Sequence, residues 1–104
     1  MRNYLLDIDT SNSKKTIVRI VERGKEKIRF EKENTYSSQI VLPLIDKALK
    51  TENLTMSEIS EIHVNPGPGS FTGLRVGIAI VNVLGWLWHI KVNGTFKPVY
   101  PHYE

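Results

Sequence analysis

"NPGPGSFTGLRVGIA", Asn65–Ala79, decides how this chain is read. Three glycines and two prolines fall within the nine residues from Pro66 to Leu74, an arginine follows, and then an almost unbroken apolar run. A glycine-rich turn that opens a helix can cradle a phosphate, present a nucleophile, or bring the helix close to a neighbour. The common catalytic motifs do not fit. A P-loop closes on Gly-Lys-Ser/Thr, whereas this stretch has no lysine and Arg75 stands two residues beyond Gly73. A dinucleotide fingerprint needs Gly-x-Gly-x-x-Gly, which Gly67, Gly69 and Gly73 miss by one residue. A hydrolase elbow places glycine two residues on either side of its serine, and Ser70 has Pro68 and Thr72 there. Two roles stay open: anion binding by the amides of the helix start, or close packing through Gly73 and Gly77, four residues apart on one side.

Ser70 is the expected N-cap of a helix over about Phe71 to His89. Steps of 100° per residue separate its faces. Leu74, Ile78, Val81, Leu84 and Trp88 form one apolar face, and Val76, Ile80, Val83 and Leu87 form a second, nearly opposite. A narrow stripe with Arg75, Asn82 and His89 runs between them. A helix on the outside of a small sheet needs one apolar face, so the second calls for another helix of the chain or another protein. Periodicity alone does not say which face meets the sheet.

Working back from the glycine stretch, "EIHV" reads as a short strand leading into it. Thr55 with Glu58 forms a capping-box pattern on a short helical turn. Ile40, Val41, Leu44, Ile45, Ala48 and Leu49 fall at helical spacing, with Pro43 tolerable in the first turns after a start at Ser37 or Ser38. Asn3–Asp9, Thr16–Glu22 and Lys25–Glu33 read as three strands, the last two joined by a hairpin turn at Gly24. The pattern predicts an α/β lobe: a mixed sheet with an antiparallel three-strand meander and two main helices. Working forward, one short strand is expected near Lys91 to Asn93, in an otherwise irregular tail over 91–104.

The 104 residues suit one domain with a core over about 3–90. The formal net charge of +3 gives no clean basic stripe, because Glu22, Glu26, Glu31 and Glu33 interleave with the lysines and arginines of the hairpin. Without cysteine, disulfides, thiolate zinc sites and cysteine nucleophiles are excluded. His63, His89 and His102 form no metal-ligand pattern, and no histidine or acid is spaced for a triad. Asp7 and Asp9 share a strand face, which could hold a cation or be a solvated strand end. The N-terminus lacks a signal-peptide core. The run Val76–Trp88 is 13 residues with Asn82 inside, against the roughly 20 needed to span a bilayer, so a buried helix and a cytoplasmic protein are expected, without membrane or metal.

"LLDIDTSN", "LPLIDKAL" and above all "GPGSFTGLRVGIA" resemble the TsaB (YeaZ) family, in order and spacing as well as in residues, over about 3–90. The resemblance implies one lobe of the actin-like ATPase (ribonuclease H-like) fold. In that fold two lobes enclose a nucleotide, and here the second lobe is expected to be absent. It implies a vestigial phosphate loop at Asp9, Thr10 and Ser11, and a glycine loop and helix start at Gly67, Gly69, Ser70, Gly73 and Arg75. It implies a non-catalytic accessory subunit, without catalytic residues or cofactor, in tRNA threonylcarbamoyladenosine synthesis. Such a subunit pairs through its helices with a TsaD-like catalytic partner or with itself, and meets tRNA only indirectly. The expected contacts are Val76, Ile80, Val83 and Leu87, with Leu44 and Ile45 beside them. The competing expectation is half of an ATPase site that another chain completes.

Overall fold

The structure, a computed structural model, describes residues 3–33 and 38–102. The meander forms as the β-branched and alternating residues dictate: β1 (Tyr4–Asp9), β2 (Lys15–Glu22) and β3 (Lys25–Glu33). The β2–β3 turn is made by Arg23 and Gly24, both at positive φ (51° and 81°), which matches the twist of the strands it joins. Helix α1 (Ser38–Thr51) carries Pro43 near its start, and a start at Ser37 lies outside the described residues. The Leu54 N–H closes its C-terminus on the Leu49 carbonyl at 2.8 Å, with Asn53 left-handed. After a short 3-10 turn, in which Glu58 accepts from the Thr55 N–H at 3.0 Å, β4 (Ile59–Val64) leads to the glycine loop. Helix α2 (Phe71–Trp88) and the two-residue β5 (Lys91–Val92) complete the elements.

The sheet order is β3-β2-β1-β4-β5. The β1–β2 and β2–β3 pairs are antiparallel, while β1–β4 and β4–β5 are parallel, so the sheet is mixed as expected. Alternation puts Leu6, Ile8, Val18, Ile20, Ile62 and Val64 on one buried face. Helix α1 covers that face over β2 and β3, and α2 covers it over β4 and β5. The opposite face is mixed, with half-buried Leu5, Ile17 and Val21 among charged side chains. There Asp7, the register partner of Arg19, receives its guanidinium at 2.7 Å, and Arg19 also reaches Glu26 at 3.0 Å. Asp7 is half of a cross-strand ion pair.

Beyond β5 the described tail, through residue 102, has no helix or strand, and hydrogen bonds tie it to the rest of the fold. Asn93 and Gly94, both at positive φ, turn the chain back so that the Val92 N–H meets the Thr95 carbonyl at 2.9 Å. The chain then crosses α2, where the Asn82 amide exchanges two 2.9 Å hydrogen bonds with the Val99 backbone. It ends against the glycine loop, where the His102 N–H donates to the Pro66 carbonyl at 2.6 Å.

Candidate functional site

The glycine loop and the end of β1 form one junction, and its polar atoms are spent on each other. The Asp9 carboxylate accepts from the Ser11 N–H (2.9 Å) and hydroxyl (2.6 Å) with one oxygen, and from the Asn65 amide (3.3 Å) with the other. Asn65 also donates to the Ser11 hydroxyl at 3.1 Å, while its carbonyl oxygen accepts from the Gly67 N–H at 3.0 Å. The Ser70 N–H donates to the Ser11 carbonyl at 2.8 Å, and the Ser70 hydroxyl, the expected N-cap, accepts from the Gly73 N–H at 3.3 Å. Asp9, Ser11, Gly67, Ser70 and Gly73 are thus brought together at one junction. Thr10 is turned away into the core, and its buried hydroxyl has no hydrogen-bond partner among the described residues. Asn65, which joins the two loops, escaped the sequence reading; the signal available was an Asx-type residue immediately before Pro-Gly.

The glycines set close approach. A Cβ at Gly69 would lie 2.5 Å from the Ser11 carbonyl oxygen, and one at Gly77 would run into the Thr10 side chain. A Cβ at Gly85 would meet Val92 at 2.7 Å. Gly67 sits at φ 111° against the His102 backbone and Leu74. With Gly69 and Gly77 both pressed on the end of β1, packing is the role the geometry expresses. Arg75 stands clear of the junction, exposed on α2 with its guanidinium 5.5 Å from the Phe71 ring.

The two faces of α2 are now distinguished. Leu74, Ile78 and Val81 are buried with Gly73, Gly77 and Gly85, so the glycine side meets the sheet. Val83 (54% exposed) and Leu87 (61%) face outward, and Val76 and Ile80 are half-buried. Trp88, placed by periodicity on the core face, is 48% exposed at the last residue of the helix. Nor is α2 a wholly buried helix. Its 18 residues are long and apolar enough to cross a bilayer by length and composition, and only a third of them are buried.

The neighbour of this outer strip is not the one expected. Leu44 and Ile45 are buried in the core, since they point from α1 toward the sheet. Leu42, one step round α1 and 45% exposed, instead lines a cavity of about 270 Å³ with Ala79, Ile80, Val83 and Leu84. No group of three or more metal-ligating side chains occurs among the described residues.

Comparison with known proteins agrees with this architecture. The family model described as TsaD, tRNA N6-adenosine threonylcarbamoyltransferase, matches residues 31–95, more than half of the chain. The tRNA threonylcarbamoyladenosine biosynthesis protein TsaB of Haemophilus influenzae is 33% identical over 82 residues, covering 79% of this chain and 34% of the relative. The Bacillus subtilis protein of the same name is 32% identical over 91 residues, covering 86% and 39%. YeaZ from Pseudomonas aeruginosa superposes with a TM-score of 0.78 at 27% identity, over 86% of this chain and 41% of that one. The chain therefore spans 34% to 41% of the length of these relatives. Sequence, order of elements and fold agree: the chain belongs to the TsaD family, on its TsaB (YeaZ) branch, and forms an α/β lobe of the actin-like kind.

Proposed function

We propose that this chain is a non-catalytic accessory subunit in tRNA threonylcarbamoyladenosine synthesis that docks on a TsaD-like catalytic subunit through the outer strip of α2. The names of its relatives place them in that pathway. The observation that carries the docking reading is the apolar groove formed by Leu42, Ile80 and Val83, continued along the helix by Leu87. Burying each such aliphatic side chain stabilises a complex by roughly 1.5–3 kcal/mol before the costs of association. The competing half-ATPase reading requires Asp9 to serve a ligand while it also accepts from Ser11 and Asn65.

The test is light scattering of the chain alone and mixed with the TsaD protein of the same organism. A heterocomplex that Val83→Asp abolishes, with the circular dichroism spectrum unchanged, is the expected result. A homodimer indifferent to TsaD overturns the assignment of the partner. Tight calorimetric binding of ATP with magnesium by the chain alone overturns the non-catalytic reading.

A further inference from the structure

The flank of α2 facing the tail differs in chemistry from the flank facing α1. No Asp or Glu occurs between Glu61 and Glu104. Of the fourteen lysines and arginines, three (Arg75, Lys91 and Lys97) fall in that interval, and the other eleven balance the eleven acids. The whole formal charge of +3 therefore belongs to the segment that holds α2 and the tail. Aromatic residues gather in the same place. Trp86 is 81% exposed, and Phe96 and Tyr100 are also exposed. Phe96 stacks on His89 with ring centroids 4.4 Å apart and planes 11° apart, and the Lys91 ammonium lies 5.6 Å from its ring.

Trp86, Phe96 and Lys97 line one small cavity of about 140 Å³, floored by Gly85, Ile90 and Val92. Its polar edges are occupied, because Asn82 is bonded to Val99 and the Thr95 hydroxyl accepts from the Lys97 N–H at 3.0 Å. A guest there would be held by ring faces and charge rather than by an edge-reading hydrogen-bond pattern. Arg75 lies on the same flank, eleven residues or about 16 Å along the helix from Trp86. Glu61, the register partner of Lys91, is the carboxylate beside this patch, and it pairs with His63 at 3.4 Å.

We infer that this flank is a stacking platform for single-stranded nucleic acid. A base lies between Trp86 and the Phe96–His89 stack, and the backbone phosphates run past Lys97, Lys91 and Arg75. Ring faces with interspersed cations and little edge readout are the chemistry of sequence-tolerant single-strand binding, in which each stacked base contributes substantially. The positive charge makes such binding salt-dependent. About 90° of helix surface separates Trp86 from the middle of the apolar strip, so this surface is distinct from the docking face proposed above.

The test is fluorescence anisotropy of short fluorescein-labelled single-stranded RNA and DNA of mixed sequence, titrated with the chain at several salt concentrations. The expected result is binding of one or both, with the tighter one identifying the natural strand. Trp86→Ala should weaken it by about fivefold to a hundredfold. Lys91→Gln with Lys97→Gln should lower the slope of log affinity against log salt by about 1.4. Both changes are at exposed side chains, and a circular dichroism spectrum checks each fold. Absence of salt-dependent binding overturns the inference, as does binding that Trp86→Ala leaves unchanged. Binding to phosphatidylglycerol vesicles without binding to either strand overturns it too, and assigns the flank to a membrane surface. The same variants should leave the TsaD heterocomplex intact. Loss of both together would mean one shared surface and would also overturn it.

Discussion

The inward and outward sides of α2 are nearly equal in hydrophobicity and opposite in construction. The inward side carries Gly73, Gly77 and Gly85 among Leu74, Ile78 and Val81, and contacts with Thr10 and Val92 leave no room for a methyl group at Gly77 or Gly85. The outward side carries Val83 and Leu87, both more than half exposed. Apolar content therefore does not identify the core side; small residues at close approach do. A glycine within a helix costs about 1 kcal/mol relative to alanine unless it allows an approach that alanine forbids.

That comparison is broken or sharpened by substitution, beginning with the largest effect. Gly77→Ala on an open face would stabilise the helix by about 1 kcal/mol. Pressed on Thr10, it should instead destabilise by about 1–3 kcal/mol, measured by urea unfolding. Combining it with Thr10→Ala should restore most of that loss, since the obstructing atoms belong to the threonine side chain. An unchanged or raised midpoint for Gly77→Ala would mean that the glycine side is not the core side.

Asn65→Ala comes next. It removes the bonds to Asp9, Ser11 and Gly67 and should cost about 1–2 kcal/mol in the same assay. Val83→Asp should change stability by no more than about 0.5 kcal/mol, although it abolishes association, because its site is solvated in the isolated chain. The smallest effect belongs to the sheet face away from the helices. Hydrogen bonds from Arg29 and then Lys15 hold the Glu31 carboxyl below its ordinary range. A depressed carboxylate contributes stability above its unfolded pKa and loses it as pH falls through the folded value. Glu31→Gln should therefore lower stability slightly at neutral pH and make the loss on acidification less steep, read from unfolding midpoints between neutral and acid pH.

Much of the fold was legible because local chemistry and tertiary structure agree. The alternation of "KEKIRFEKE", the turn at Gly24, the Thr55–Glu58 box and the Ser70 cap each act within a few residues, and each appears where its pattern put it. What could not be read depends on partners distant in sequence. Leu42 stands about 200° round α1 from Leu44, off the apolar stripe, so periodicity exposes it, but that it then faces Ile80 and Val83 depends on how the two helices pack. Asp7 carries no mark of the arginine twelve residues on that neutralises it. The tail is irregular, and its anchoring could not be read because Val99 and His102 find their partners on α2 and the glycine loop rather than beside each other. The family motif located the junction of Asp9, Ser11 and the glycine loop, but not that Asn65 ties it together.

The parallel pairing of β1 with β4 also bears on how the chain is made. Strands β1 to β3 emerge from the ribosome first and can pair with each other at once, but the second edge of β1 waits for β4. At roughly 5–20 residues per second, the interval between Glu33 and Val64 lasts roughly two to six seconds. For that time β1 keeps one edge open, and the helix made within the same interval, α1, covers β2 and β3 and leaves the β4 side of the meander bare.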